Sequence, residues 1–184
     1  EEYNEWMGKS ADSFYAKYIK SIKGDCSFPG QLKDKFGGIT LNHSGYLDTA
    51  KMLAAYRSYL LKYGLLRESS FNYDKLVVKS TRICYQDIEA RGAIFSEGRF
   101  QSENPWFNWL PQKPVKGELI WIKCSEEINH IYNRGVFLIP IYNGICKVGA
   151  TYNHENLDEI VTEGAKSELI RRLDKLIQFD YEII

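Results

Sequence analysis

Two apolar segments, residues 131–140 and 145–152, flank the turn Tyr142-Asn143-Gly144. An Asn-Gly pair readily takes the positive φ angles of the tightest hairpin turns, so it joins strands that run antiparallel. Further strand-like runs fall at 39–42, 76–78, 81–85, 92–96 and 118–123. Helical spacing marks three segments. Residues 1–23 carry Trp6, Met7, Phe14, Tyr15, Tyr18, Ile19 and Ile22; residues 49–63 carry Met52, Leu53, Tyr56, Tyr59 and Leu60; residues 163–177 carry Leu169, Leu173, Leu176 and Ile177. Asp48 or Thr49 is placed to cap the second helix, and Gly64 to end it in a left-handed conformation. Pro29-Gly30 and Gly37-Gly38 are turn signals in the loop between the first helix and the first strand. The order predicts an α+β fold, with a mainly antiparallel sheet and helices packed on one face. We expect one domain over residues 1–184.

Lys plus Arg and Asp plus Glu both number 24. That balance speaks against a nucleic-acid partner or an anionic membrane, since both select excess positive charge. Cys26, Cys84, Cys124 and Cys146 form no CxxC pair, and three of them sit in apolar, strand-like runs. Free cysteines used as small hydrophobes predict a reducing, cytoplasmic compartment. No apolar run approaches the roughly 20 residues of a membrane span. The first residues, Glu1-Glu2-Tyr3-Asn4-Glu5, lack signal-peptide character and a start methionine, which predicts an excised or processed piece. Thirteen tyrosines offer apolar rings with polar tips, suited to a lined pocket, an interface or a sheet core.

Catalytic signatures are sparse. His43, His130 and His154 share no metal-ligand spacing, so no metal is expected. There is no GxSxG elbow, and no residue is assigned a catalytic role. A dinucleotide cradle needs GxGxxG between a strand and its helix, so that bare backbone can approach the pyrophosphate. The chain has no such run, which predicts that it does not hold FAD by itself. Tyr132 and Phe137 flank a turn at Arg134-Gly135, either as core aromatics of a strand pair or as the wall of a pocket.

Three ordered motifs favour the pocket. Pro114-Val115-Lys116-Gly117-Glu118 is followed by the apolar run Phe137-Leu138-Ile139-Pro140, then by Gly149-Ala150-Thr151-Tyr152-Asn153. This resembles the D-amino-acid oxidase superfamily of flavoproteins, glycine and sarcosine oxidases among them. That family reads P-x-K-G-E, an apolar strand ending in Pro, then G-A-T-x-E; Asn153 stands where Glu is usual. Gly45-Tyr46-Leu47-Asp48 and Gly92-Ala93-Ile94-Phe95-Ser96-Glu97-Gly98 resemble two further family elements. The likeness covers most of residues 40–165.

The resemblance implies the substrate-binding domain of an FAD-dependent oxidoreductase that oxidises a C–N bond of an amino acid or amine. The Rossmann FAD-binding domain would lie elsewhere in a parent chain, and the fragment alone would be inactive. It implies substrate contacts at Tyr132, Phe137, Tyr46 and Arg134, and flavin-side contacts at Gly98, Arg99, Lys116 and Gly117. Phe137 stands where the family carries a pocket tyrosine, so contact with a substrate carboxylate is weakened. Other readings are a stand-alone α+β module for a small ligand or protein, and an interaction protein with no pocket.

Overall fold

In the computed structural model the described residues are 2–25, 28 and 30–184. Cys26 and Pro29, on which one cysteine reading and one turn signal fall, lie outside them. The fold is α+β, and the chain divides into two compact units, Glu1–Leu47 with Val115–Ile184, and Asp48–Pro114. One domain was the expectation from sequence.

The first unit holds a five-stranded sheet. Strands β6 (Leu119–Cys124), β7 (Tyr132–Asn133), β8 (Phe137–Tyr142), β9 (Ile145–Gly149) and β10 (Tyr181–Ile183) lie in the order β10-β6-β9-β8-β7. Every neighbouring pair is antiparallel. The β8–β9 connection is the turn expected from sequence: Asn143 and Gly144 have φ of 48° and 75°, both left-handed.

Side chains alternate along each strand, so the register sorts them onto two faces. Ile120, Ile122 and Cys124 of β6 are buried, and their neighbours Leu119, Trp121 and Lys123 are exposed. Cys146 and Val148 of β9 and Leu138 of β8 complete the buried face. Helix α4 (Glu163–Leu173) covers it with Leu169 and Leu173, and the residues after the helix add Leu176 and Ile177. Thr162 caps α4, its hydroxyl accepting from Ala165 N at 3.2 Å. Residues 31–33 are sewn beside this core: Leu32 bridges Ile177, Lys33 N donates to Leu176 O, and Gln178 N donates to Gln31 O.

The N-terminal segment departs from expectation. The spacing predicts a helix over residues 1–23, but α1 (Glu2–Ala11) and α2 (Ser13–Ala16) give way to strand β1 (Ile19–Lys23). Strand β1 pairs with β2 (Gly38–Leu41), with a bulge between Ile19 and Ser21. Ile19 faces Leu41 and Ile22 faces Ile39. The bulge thus brings residues three apart onto one side of a strand, a spacing otherwise diagnostic of a helix. Strand β10 is also absent from the sequence reading.

The second unit contains α3 (Thr49–Lys62) and a small antiparallel sheet, β3 (Leu76–Val78), β4 (Ile83–Tyr85) and β5 (Ile88–Ala90), in that order. Asp48 caps α3, accepting from Lys51 N at 3.1 Å, and Gly64 is left-handed at φ 64°. No residue of α3 is buried; Met52, Leu53, Tyr56 and Tyr59 stay exposed. The strand expected at 92–96 does not form. A tight turn at Gln86-Asp87 folds β5 straight back on β4, with Tyr85 opposite Ile88 and Ile83 opposite Ala90. That pairing is used up before Gly92, and Ile94 stands 94% exposed.

Phe71, Tyr73, Tyr85, Phe95, Trp106 and Phe107 form a connected cluster of rings in this unit. Glu97 sits beside them. It accepts a short hydrogen bond from the Tyr73 hydroxyl and another, at 2.8 Å, from the fully buried Asn104 amide. Donation to Glu97, with desolvation second, pushes the Tyr73 phenol up to about 12. Among the described residues no helix is long and apolar enough to cross a membrane.

Leu169→Ala and Leu173→Ala should each lower unfolding free energy by about 2–5 kcal/mol, because each empties a closed site under the sheet. Met52→Ala, on an exposed helix face, should change it by less than about 0.5 kcal/mol. Urea titration of the three variants measures the contrast.

Candidate functional site

The face of the five-stranded sheet turned away from α4 is the candidate site. Leu119, Gly149 and Phe137 lie in one row across β6, β9 and β8, and Trp121, Lys147 and Ile139 form the next. The first row closes over a glycine. A Cβ at Gly149 would lie 2.1 Å from Leu119 Cδ2 and 2.7 Å from Phe137 Cζ, so only a bare backbone lets the two side chains approach. In the second row the Lys147 ammonium stands 4.6 Å from the centroid of the Trp121 ring, a cation–π contact. Leu119, Phe137, Trp121 and Ile139 make these two rows apolar, with Lys147 as their cation, and Lys123 follows in the next row of β6. This face can hold an apolar or aromatic body, and Lys147 can meet an anionic tip.

Phe137 is on this face, but Tyr132 is not. Tyr132 pairs with Leu138 and shares its buried side, whereas Phe137 pairs with Asn133 and Gly149 on the other. The Tyr132 hydroxyl donates to Gln31 Oε1 at 2.8 Å and its ring packs on Phe28 at 5.2 Å. Burial pushes its phenol up to about 12. Tyr132 therefore fastens the 31–33 segment to the sheet, and the two aromatics named from sequence face opposite ways.

Arg134 is exposed in the β7–β8 turn and donates to Lys33 O at 2.8 Å. Tyr46 is exposed in the segment before α3. Gly98, at φ 56°, opens a short 3-10 turn in the second unit, and the Arg99 guanidinium lies 4.6 Å from the Phe100 ring centroid. Of the residues named from sequence, Phe137, Lys116 and Gly117 come to one end of the sheet, where Leu119 opposes Gly149.

Lys116 and Gly117 lie beside residues 151–160. Lys116 exchanges two backbone hydrogen bonds with Asn153, at 2.8 and 2.9 Å. Its side chain is 9% exposed, and its ammonium donates to Asp158 Oδ1 at 2.8 Å and to Ile160 O, with Glu118 Oε1 at 3.6 Å. Glu118 in turn accepts from Thr162 N at 2.7 Å and from the Thr162 hydroxyl at 3.1 Å. A Cβ at Gly117 would stand 3.3 Å from Thr151 O. Asn153 accepts from the backbone of Glu155 and Asn156, turning the chain there. The Lys-Gly-Glu run is thus a latch that holds residues 153–162 and the start of α4 against the sheet.

The latch biases its own titration. Donation by Thr162 N holds the Glu118 carboxyl below its ordinary value, and Lys116 does the same for Asp158. The hydrogen bond to Asp158 raises Lys116.

A cleft of about 300 Å³ opens at the C-terminal end of α4, lined by Lys33, Asp174, Phe179, Asp180 and Tyr181. Lys33 donates to Asp174 O at 2.6 Å and the Tyr181 hydroxyl to Asp174 Oδ1 at 2.8 Å. These groups knit the helix end to the chain around it. Among the described residues no cluster of His, Cys, Asp and Glu could hold a metal ion.

Gly149 opens a motif read from sequence, but its place between Leu119 and Phe137, and the parts of Leu119, Trp121 and Lys147, escape a reading by motif. Their signal is the alternation within residues 119–124 combined with the hairpin register, which together set Gly149 between Leu119 and Phe137.

The chain is an α+β protein whose larger antiparallel sheet buries one face under helix α4 and carries Leu119, Trp121 and Phe137 on the other. Among curated proteins, a 62-residue stretch, 33% of the chain, is 36% identical to glycine oxidase of Pseudomonas putida. The stretch spans 17% of that protein's length. No family model matches the chain, and no solved structure matches it.

Two outcomes are expected. Both latch carboxyls titrate lower folded than unfolded, so their stabilisation is present at neutral pH and is lost as pH falls through the folded values. Urea midpoints measured from about pH 7 to about pH 3 should therefore fall more steeply for the wild type than for Glu118→Gln. Gly149→Ala should force Leu119 and Phe137 apart and cost about 1–3 kcal/mol, the range for overpacking, read by the same titration at neutral pH.

Proposed function

We propose that this chain is the substrate-binding part of a flavin-dependent oxidoreductase that oxidises a C–N bond of an amine or amino acid. The observation that carries the reading is the likeness to glycine oxidase, an enzyme whose name states the oxidation of an amino acid. The ordered motifs between Gly45 and Asn153 support it, as does a sheet face on which Phe137 and Gly149, from two of those motifs, are paired.

FAD would be the group that supplies the redox chemistry. The residues here do not fit a dinucleotide cradle: the connection from β2 to α3 carries Gly45 and no glycine run, and its helix is capped by Asp48. An anionic cap opposes a pyrophosphate at that helix end. In this reading the FAD-binding domain belongs to another part of the parent chain. The present residues then act by binding and orienting: Phe137, Leu119 and the bare Gly149 form the wall, and Lys147 supplies positive charge beside Trp121. Tyr46 and Arg134 stay candidates for the substrate, and Gly98, Arg99, Lys116 and Gly117 for the flavin side; Lys116 and Gly117 would act there through the latch. Without a hydroxyl at position 137 the wall favours a small amine with apolar substituents over a free amino acid.

A second reading, a binding module without catalysis, is favoured by the Trp121–Lys147 pair, which suits ligand stacking whether or not a flavin is near.

The test is to express the reading frame that holds this chain with its flanking sequence, record the flavin spectrum, and add amines anaerobically. Bleaching by an amine is expected. In that protein Phe137→Ala should raise KM about tenfold, equivalent to about 1.4 kcal/mol of lost contact, with a smaller change in kcat. A colourless product, or a flavin that no amine bleaches, sinks the oxidase reading and leaves the binding module.

A further inference from the structure

The core of the sheet holds two thiols in contact. Cys124 ends β6 and Cys146 lies in β9; the Cys124 S–H donates to Cys146 Sγ at 3.5 Å. Both are free, at 8% and 0% exposure. The register makes them diagonal neighbours, because Cys146 opposes Ile122 while Cys124 N donates to Gly144 O at the hairpin turn. They therefore sit at the turn end of the sheet, where only Tyr142-Asn143-Gly144 closes β8 onto β9. Core packing needs two small hydrophobes here. It does not need two sulfurs aimed at each other.

We propose that Cys124 and Cys146 are a dithiol that a peroxide oxidises reversibly to a disulfide, a covalent tie between β6 and β9. Closing the pair from 3.5 Å to the bonded separation of about 2.05 Å takes a side-chain rotation and a small shift at the turn. One sulfur attacks a peroxide oxygen, the O–O bond breaks, and a sulfenic acid forms with release of water. The second sulfur then displaces hydroxide from the first, and its proton leaves with that hydroxide as the second water. In sum two S–H bonds and one O–O bond break, one S–S bond and two O–H bonds form, and the peroxide takes both electrons. The hydrogen bond from Cys124 lowers the Cys146 thiol and, with burial, raises the Cys124 thiol, and Cys124 is the more exposed residue of the two. The inference stands apart from the oxidase reading, because it needs only a peroxide and these two strands.

The experiment treats the folded chain with hydrogen peroxide, alkylates remaining thiols under denaturing conditions, and maps the digest without reductant. The expected result is a peptide pair joining Cys124 to Cys146 that becomes the main form of both cysteines, and that dithiothreitol abolishes. Cys84, in the second unit, is the internal control. Both core cysteines alkylated under conditions that oxidise Cys84 overturns the proposal; so does a bridge from either one to Cys26 or Cys84. Cys84→Ala should leave the bridge unchanged. Because the wild-type map alone decides the matter, it does not depend on whether Cys124→Ala folds.

Discussion

Strand β9 pairs with β6 on one side and β8 on the other, and that double ladder decides where every residue near it points. A side-chain period of two leaves no intermediate choice. A slip of one residue would carry Lys147 into the core and Val148 out of it. The register is held because Cys146 and Val148 must meet Leu169 and Leu173 of α4. The row Leu119, Gly149 and Phe137, on the opposite face, is the other half of the same decision. The geometry of the candidate surface is therefore a by-product of core packing, and a substitution that repacks the core also re-aims that face.

The Lys116–Glu118 latch shows how a short motif can matter without touching a ligand. Lys116 answers Asp158 and Glu118 answers Thr162, so two neighbouring residues of one strand entry hold two ends of one returning loop. Thr162 also caps α4. The helix that covers the core thus begins at a residue that the sheet itself holds.

Local chemistry was legible in the sequence, and pairing across distance was not. The cap at Asp48, the left-handed Gly64, the Asn143-Gly144 turn and the inner face of α4 all follow from neighbours a few residues apart, and each is found where it was read. Strand β1 was misread because a bulge mimics helical spacing. Strand β10 is three residues long and its partner lies in β6, so it has almost no signal of its own. In the site, Phe137 could be named from its motif, but its separation from Tyr132 onto opposite faces depends on the β7–β8 register. Lys116 could likewise be named from its motif, but its ion pair with Asp158, some forty residues away, has no short-range pattern to announce it.

The two edges of the large sheet are both short. Strand β7 has two residues and β10 has three. A long, flat, apolar edge would offer unpaired N–H and C=O groups as a template for a foreign strand, and natural sheets avoid that by truncation. This sheet leaves a greasy face open yet gives little backbone for a neighbour to zip onto. A body settling on that face would meet the side chains of Phe137, Leu119 and Trp121 rather than a backbone edge, which sets such contact apart from the strand-to-strand stickiness that leads to fibres.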